Sequence, residues 1–453
     1  MDWTEVSPGV YSKELCGVEK IYRNISQLFK PVGREHWGLY CVCDFELGPS
    51  LSGKDPAAVL RDAWKALRYD FPALAVAPDG LTKKTYILPN QSSVEKWADE
   101  TFIVDPISSS DDILASYPPR DTPTIHYLPE LSQVVFLCSH WRIDGLGTCM
   151  IMDRFFTILA KATGAPTSKS WANDLHKISP NLEEALGVPA TETPEVQALA
   201  REHIKEHHKN AVHAGGLPYL GDAKTPPGRP AATATTFNED STAAFIATCK
   251  ARKVTVTSAI YAALAGAIPV LSLDECTKKY AAVMAVNMRN HLQEPYNGRD
   301  HPVQVYVVGQ APTVDHSSSF YEKTKEFSNQ TGSWYNEDFK RAYRVATQYQ
   351  YEALCNRGPP PKPPSSVTLS SLGVIERNLS GEYGGGAVKV RDFRFGVSMM
   401  TRQMLLYAWT FGGKLQFSVN YNDAYHDSLE VAAFLELIVQ ILKKEMGVTL
   451  VAE

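Results

Sequence analysis

Apolar positions along this chain follow two periods, and the period changes often. Residues 55–69, "DPAAVLRDAWKALRY", space their apolar side chains as one face of a helix, with Asp55 suited to the N-cap and Pro56 to the first turn. The runs "KTYIL" (84–88), "TIHYL" (124–128) and "QVVFLC" (133–138) are short, β-branched and aromatic, and predict strands. Helical spacing resumes after Gly147, runs through Ala162 and stops at Gly164. A polar, His-rich helix is predicted from Thr193-Pro194 to about Val212. Further on, "STAAFIATCKARKVTVTSAIYAALAGAI" predicts two helices around a short loop, "YAAVMAVNMR" and "VQVYVV" predict strands, and 333–355 predicts a helix. "RQMLLYAWTFGGKLQFSVNY" predicts a hairpin turning at Gly412-Gly413. The last helix opens with Asp427 and Glu430 and closes with Lys443, Lys444 and Gly447.

Strands and helices thus alternate in both halves, without internal repeats, and predict an α/β protein. The Gly- and Pro-rich stretch 213–236 is the natural linker, giving domains at 1–212 and 237–453, and "NRGPPPKPPSS" (356–366) predicts a stiff loop. At ~100–200 residues per domain, 453 residues fit two to four domains, and 44% hydrophobic with 21% charged residues permits a sizeable core. A net charge of −5 without a Lys/Arg run argues against nucleic-acid binding. The eight cysteines form no CxxC pair; Cys41 and Cys43 would share one face of a strand, and reduced thiols in a cytoplasmic setting are expected. The N-terminus lacks the pattern of a signal peptide, no apolar run reaches the ~18 residues of a membrane span, and "GVTLVAE" holds no lipidation motif, so no membrane partner is expected.

The candidate chemistry lies in "VVFLCSHWRIDGLGTCMIMDRFF" (134–156), where a strand-like run stops at His140 and Asp144-Gly145 follows. H-x-x-x-D alone is weak: with 12 histidines, roughly 0.6 matches arise by chance. No other histidine here has Asp at that spacing, and this one ends a strand just before a helix. The bland reading is a satisfied histidine and a solvated turn. The sharp one is a neutral imidazole, pKa near ~6.5, poised to take a proton from an alcohol, with the aspartate locking the loop through an arginine and Gly145 letting the backbone turn.

His140-Trp-Arg-Ile-Asp144-Gly145 resembles the HxxxDG signature of the CoA-dependent acyltransferase superfamily, which includes chloramphenicol acetyltransferase, plant BAHD acyltransferases and nonribosomal peptide condensation domains. "LRDAWKALRYDFPALAVAP", "VTVTSAIYAALAGAI", "AAVMAVNMRNHL", "VTLSSLGVIERNL" and "LQFSVNYNDAYHD" resemble further segments in the family's order, so the likeness covers most of the chain. "SHWRIDGLGT" and "TRQMLLYAWTFGGKLQFSVNYNDAYH" look closest to the fungal trichothecene 15-O-acetyltransferase branch. Two departures stand out: "RDFRFGVSMM" replaces the plant DFGWG motif, and Ser139 stands where condensation domains usually carry a second histidine. The resemblance implies two chloramphenicol-acetyltransferase-like domains, each a mixed sheet packed with helices, with the active-site channel between them. It implies a monomer taking acetyl-CoA as co-substrate and a small alcohol, a trichothecene by closeness, with no bound cofactor. His140 would be the general base, and Asp144, Gly145 and Arg289 (on the strand "AVNMRN") would hold the site. Another alcohol, a longer acyl chain, an amide-forming enzyme and an inactive binding protein are the competing readings.

Other polar features have two readings each. Ser370-Ser371 in "TLSSLG" are oxyanion or substrate contacts, or an edge-strand hydroxyl pair. Gln416, Ser418 and Asn420 share a strand face that lines an acceptor site or meets water, and Tyr407, Trp409 and Phe411 share a face whose default is core packing. Ser371, Tyr407 and Asn420 are the substrate-binding candidates. His203 and His207, four apart in "EHIKEHH", lack a third ligand, and no metal is expected. "GEYGGGAV" around Gly385 is no phosphate loop, since no GK[ST] follows.

Overall fold

A computed structural model describes residues 2–164, 174–211, 215–272, 278–356, 358 and 362–453. Cys276, the end of the predicted helix at Val212, residues 213–214 of the expected linker and part of the 356–366 loop lie outside the described residues. The chain divides into two compact units, and neither is continuous in sequence. The first holds Met1–Gly187, Asn287–Val307 and Ile375–Val397; the second holds Val188–Val286, Val308–Val374 and Ser398–Glu453. This differs from the expected split at 213–236, and strand pairing supplies the reason. Val388–Val397 pairs antiparallel with Gly38–Leu47 of the first unit, from Val388↔Leu47 to Val397↔Leu39. Within the expected linker, Pro230–Thr236 is a strand, pairing antiparallel with Lys414–Asn422.

The first unit is built on a six-stranded mixed sheet, ordered Glu382–Tyr383, Val388–Val397, Gly38–Leu47, Gln133–Ser139, Thr124–Leu128 and Phe102–Val104. Only the last pair is parallel. The helix Pro56–Asp70 starts as the sequence predicts, with the Asp55 side chain accepting from the Ala57 N–H. Its Trp64 is fully buried, stacks on Trp97 at 5.0 Å, meets Phe136 edge-on at 6.3 Å and donates its indole N–H to Thr101. Phe156 of the helix Gly145–Lys161 packs on Phe45 at 5.9 Å. Each such buried side chain contributes about 1.5–3 kcal/mol. Cys41 and Cys43 share a face as expected, their sulfurs 3.7 Å apart, and the described cysteines are free thiols, all buried except Cys355.

The second unit has a four-stranded sheet, ordered Val367–Val374, Met404–Phe411, Lys414–Asn422 and Pro230–Thr236. Leu406, Ala408, Phe417 and Val419 turn one face of it onto the helices Val256–Leu271 and Ser428–Met446. The hairpin turns at Gly412 (φ 58°) and Gly413 (φ 75°), the double left-handed turn that glycine makes cheap. The helices Pro194–Ala211 and Glu337–Asn356 pair through Val196, Ala200, Ala342 and Val345. Two strand expectations shift: "YAAVMAVNMR" breaks into Lys279–Ala281 and Met284–Asn287, and of "VQVYVV" only Val307 and Val308 enter a strand, Val307–Gln310. No single helix among the described residues is long and apolar enough to cross a membrane.

Candidate active site

The strand Gln133–Ser139 ends one residue before His140, and a turn leads into the helix Gly145–Lys161. Asp144 caps that helix, accepting from the Gly147 N–H at 2.8 Å. The same carboxylate receives Arg289 Nη1 at 2.9 Å on each oxygen and the Tyr306 N–H at 2.8 Å. Asp144 and Arg289 are 1% and 4% exposed, so this pair is sealed from water and its charges satisfy each other. Arg289 also lies 5.3 Å from the centre of the Tyr306 ring. Asp144 therefore has its lone pairs engaged in holding the loop. Arg142 holds the loop from inside, donating to the carbonyls of Ala73, Val76 and Asp121.

Two details differ from the sequence reading. Arg289 opens a single 3₁₀ turn just past the strand Met284–Asn287, rather than lying within it. Gly145 is the first residue of the helix and has no left-handed φ. The glycine that has no room for a side chain is Gly147: a Cβ there would lie 2.2 Å from the Pro302 carbonyl oxygen and 2.9 Å from Ile143. It permits the approach of backbone that brings Arg289 to Asp144.

His140 lies at the start of the same loop. Burial lowers its pKa below the usual imidazole value; the backbone of His140, the Asp144 charge and the backbone of Ile143 oppose this without overcoming it. The ring is therefore neutral at neutral pH, the form a base requires. Rings that the sequence did not single out surround it. Tyr22, on the helix Gly17–Gln27, lies 4.6 Å from His140 between ring centres. Trp37 lies 5.6 Å from Tyr22 and 6.5 Å from His140 and stacks on His36 at 5.3 Å. Strand register places Trp37: Gly38 pairs with Ser139, so Trp37 and His140 stand one step beyond the same pair. Trp37 has φ +61°, a left-handed conformation that costs a bulky residue on the order of 1–3 kcal/mol. Burial drives His36 down to about 3, so it is uncharged.

On the other side, Ser139 donates its hydroxyl to Glu35, a buried carboxyl that desolvation pushes up to about 7 although Ser139, Arg23 and Arg142 pull it down. The signal that could have found this group is the polar string "GREHWG" ahead of a strong strand: a carboxylate and a histidine that must be buried if the strand is central.

The substrate-binding candidates lie in the second unit and do not share a face. Tyr407 and Asn420 are buried on one face of the hairpin, Asn420 donating to Ser418 at 3.2 Å. Ser371 pairs in register with Ala408 on the helix-covered face, and its hydroxyl lies 2.9 Å from that of Thr257 on the helix Val256–Leu271. Gln416, Ser418 and Asn420 are 5%, 5% and 0% exposed, so the water-facing reading of that strand falls. Among the described residues no cluster of three or more His, Cys, Asp or Glu side chains is placed to hold a metal.

The fold is that of a solved fungal acetyltransferase. It matches the trichothecene 15-O-acetyltransferase from Fusarium sporotrichioides with a TM-score of 0.82 over 97% of both chains at 15% identity. It also matches the polyketide synthase associated protein 5 from Mycobacterium tuberculosis, TM-score 0.63 at 14% identity, over 96% of this chain and 98% of that one. No family model matches the sequence. Whole sequences do: the O-acetyltransferase pigM of Monascus ruber is 46% identical over 99% of this chain and 88% of its own length. The azaphilone biosynthesis cluster protein M of Aspergillus terreus is 38% identical over 98% of each, and the acetyltransferase pigO of Monascus ruber 30% identical over 99% of each. The chain belongs to the family of fungal acetyltransferases that these relatives represent.

Proposed function

We propose that the protein transfers acetyl from acetyl-CoA to a hydroxyl of a fungal secondary metabolite, with His140 as general base. The observation that carries this is the division of labour in one loop: Asp144 is spent on Arg289, Gly147 and Tyr306, and His140 stands neutral four residues before it. The imidazole takes the proton of the acceptor hydroxyl as its oxygen bonds to the thioester carbonyl carbon. The tetrahedral adduct collapses, the C–S bond breaks, and the imidazolium returns the proton to the CoA thiolate. Nothing in the sequence requires an acyl-enzyme. The trichothecene acceptor suggested by resemblance of short segments meets a solved trichothecene enzyme at only 15% identity, whereas relatives at 46% and 38% carry pigment and azaphilone names. Those relatives favour an alcohol of a pigment-type metabolite as the acceptor. The test incubates the protein with acetyl-CoA and a panel of hydroxylated pigment precursors, trichothecene alcohols and amines. O-acetylation that His140→Ala abolishes supports the reading; acetylation of amines alone, or turnover that survives His140→Ala, overturns it.

A further inference from the structure

Tyr22, Trp37 and His140 are each half-buried, so each residue keeps part of its surface open, while His36 behind Trp37 is buried. The three rings are mutually in contact, with centres 4.6, 5.6 and 6.5 Å apart, the range in which aromatic faces and edges attract. Trp37 stands there against its own backbone preference. Its backbone is held left-handed, where glycine or asparagine would relax it, and its indole N–H is buried without a hydrogen-bond partner among the described residues. A strained backbone and an unpaired indole N–H beside the histidine point to a role for the ring itself. The wall is uncharged: His36 and His140 are neutral, the Tyr22 hydroxyl keeps its proton because burial and then Asp144 push its pKa up, and the Asp144 carboxylate is engaged by Arg289. A cationic guest would find no free counter-charge in this group, whereas an apolar π face would find partners.

We propose that Tyr22 and Trp37 select, as acceptor, an alcohol on a flat conjugated ring system packed against these two rings, with its hydroxyl brought to His140. This rests on the acetyl transfer proposed above. The two ring planes are inclined at 46°, so a flat ring that stacks on one meets the other edge-on; a puckered saturated polycycle, fenced by axial hydrogens, meets them at points. The experiment assays the full chain with acetyl-CoA and two alcohols of matched size, 2-naphthylmethanol and decahydro-2-naphthylmethanol. The wild type is expected to favour the flat alcohol in kcat/KM by about tenfold or more, the scale of two aromatic contacts. Tyr22→Leu and Trp37→Leu should bring the ratio down toward one, and Tyr22→Phe and Trp37→Phe should keep it. Trp37→Gly removes the ring while relaxing the backbone, so lost preference with an undiminished melting temperature supports the wall without a folding defect. A wild-type ratio near one, or a preference that survives loss of both rings, overturns it. Calorimetry without acetyl-CoA separates this from failure of the reaction: tighter binding of the flat alcohol with no acetyl transfer keeps the wall and overturns the chemistry, and equal binding of the two alcohols overturns the wall.

Discussion

Asp144 and Glu35 are both buried carboxyl groups beside the histidine, and the fold treats them in opposite ways. Asp144, four residues after His140, meets a guanidinium and two backbone N–H groups. Glu35 is bonded to Ser139, the residue before His140, and desolvation outweighs Ser139, Arg23 and Arg142, so it titrates near 7 rather than in the usual carboxyl range. At Glu35, desolvation outweighs the hydroxyl and the two guanidinium groups that favour its anion. The contrast separates two tasks at one site. Asp144 holds the loop in one shape; Glu35, bonded to Ser139, is a group that changes charge near neutral pH.

The strongest test of this contrast is to remove the Asp144 carboxylate. Asp144→Ala strips the helix cap and leaves Arg289 as an unpaired buried cation, which should cost about 3–5 kcal/mol in urea unfolding. Asp144→Ala with Arg289→Met should recover part of that loss, since the stranded charge is gone. A single-variant cost below about 1 kcal/mol would show that the pair does not organise the loop. Next in size, His140→Ala should lower kcat at least about a hundredfold with an unchanged unfolding curve, because base catalysis contributes ~10²–10⁴-fold.

Glu35→Gln attacks the other half of the contrast. A carboxyl whose folded pKa is raised from 4.5 to about 7 gives stability that is fully present below the unfolded value and is lost as pH rises through about 7. Wild type should therefore lose about 2–3 kcal/mol relative to Glu35→Gln between pH 5 and pH 8. Parallel stability profiles for the two proteins would mean that Glu35 is an ordinary paired carboxylate. Gly147→Ala is expected to cost about 1–3 kcal/mol by overpacking against the Pro302 carbonyl, whereas Gly145→Ala, at the first turn of the helix, should cost less.

What the sequence made legible follows from how local each feature is. The helix after Asp55, the strand 124–128, the Gly412-Gly413 hairpin and the histidine at a strand end all announce themselves within a few residues, and the structure has them there. The interleaving of the units was not legible, because it depends on Val388–Val397 crossing to a strand near the start of the chain. The same holds for Tyr22, Glu35 and Trp37: they lie on a short helix and an irregular loop, and only the pairing of Gly38 with Ser139 carries that loop to His140. The sequence points to Gly145 rather than Gly147 because adjacency to the aspartate is visible in a sequence, while a Pro302 carbonyl pressing on Gly147 is not.

The smallest expected effect is the most discriminating. If His140 is the base, kcat/KM should depend on the fraction of neutral imidazole. A histidine of ordinary pKa near ~6.5 would lose half its activity on going from high pH to that value. His140 titrates below it, because burial disfavours the imidazolium, so the loss between pH 8 and pH 6.5 should be less than about twofold and the steep fall should come at lower pH. Glu35 changes charge inside this same window, near 7, and is joined to the strand end through Ser139. The rate profile therefore reports on both groups at once. A nearly flat profile from pH 8 to 6.5, the same in wild type and in Glu35→Gln, means that the charge of Glu35 does not reach the imidazole and that Asp144 and Arg289 alone fix the site's electrostatics. A step near pH 7 that Glu35→Gln removes would end the separation of tasks and make Glu35 part of the base's own environment.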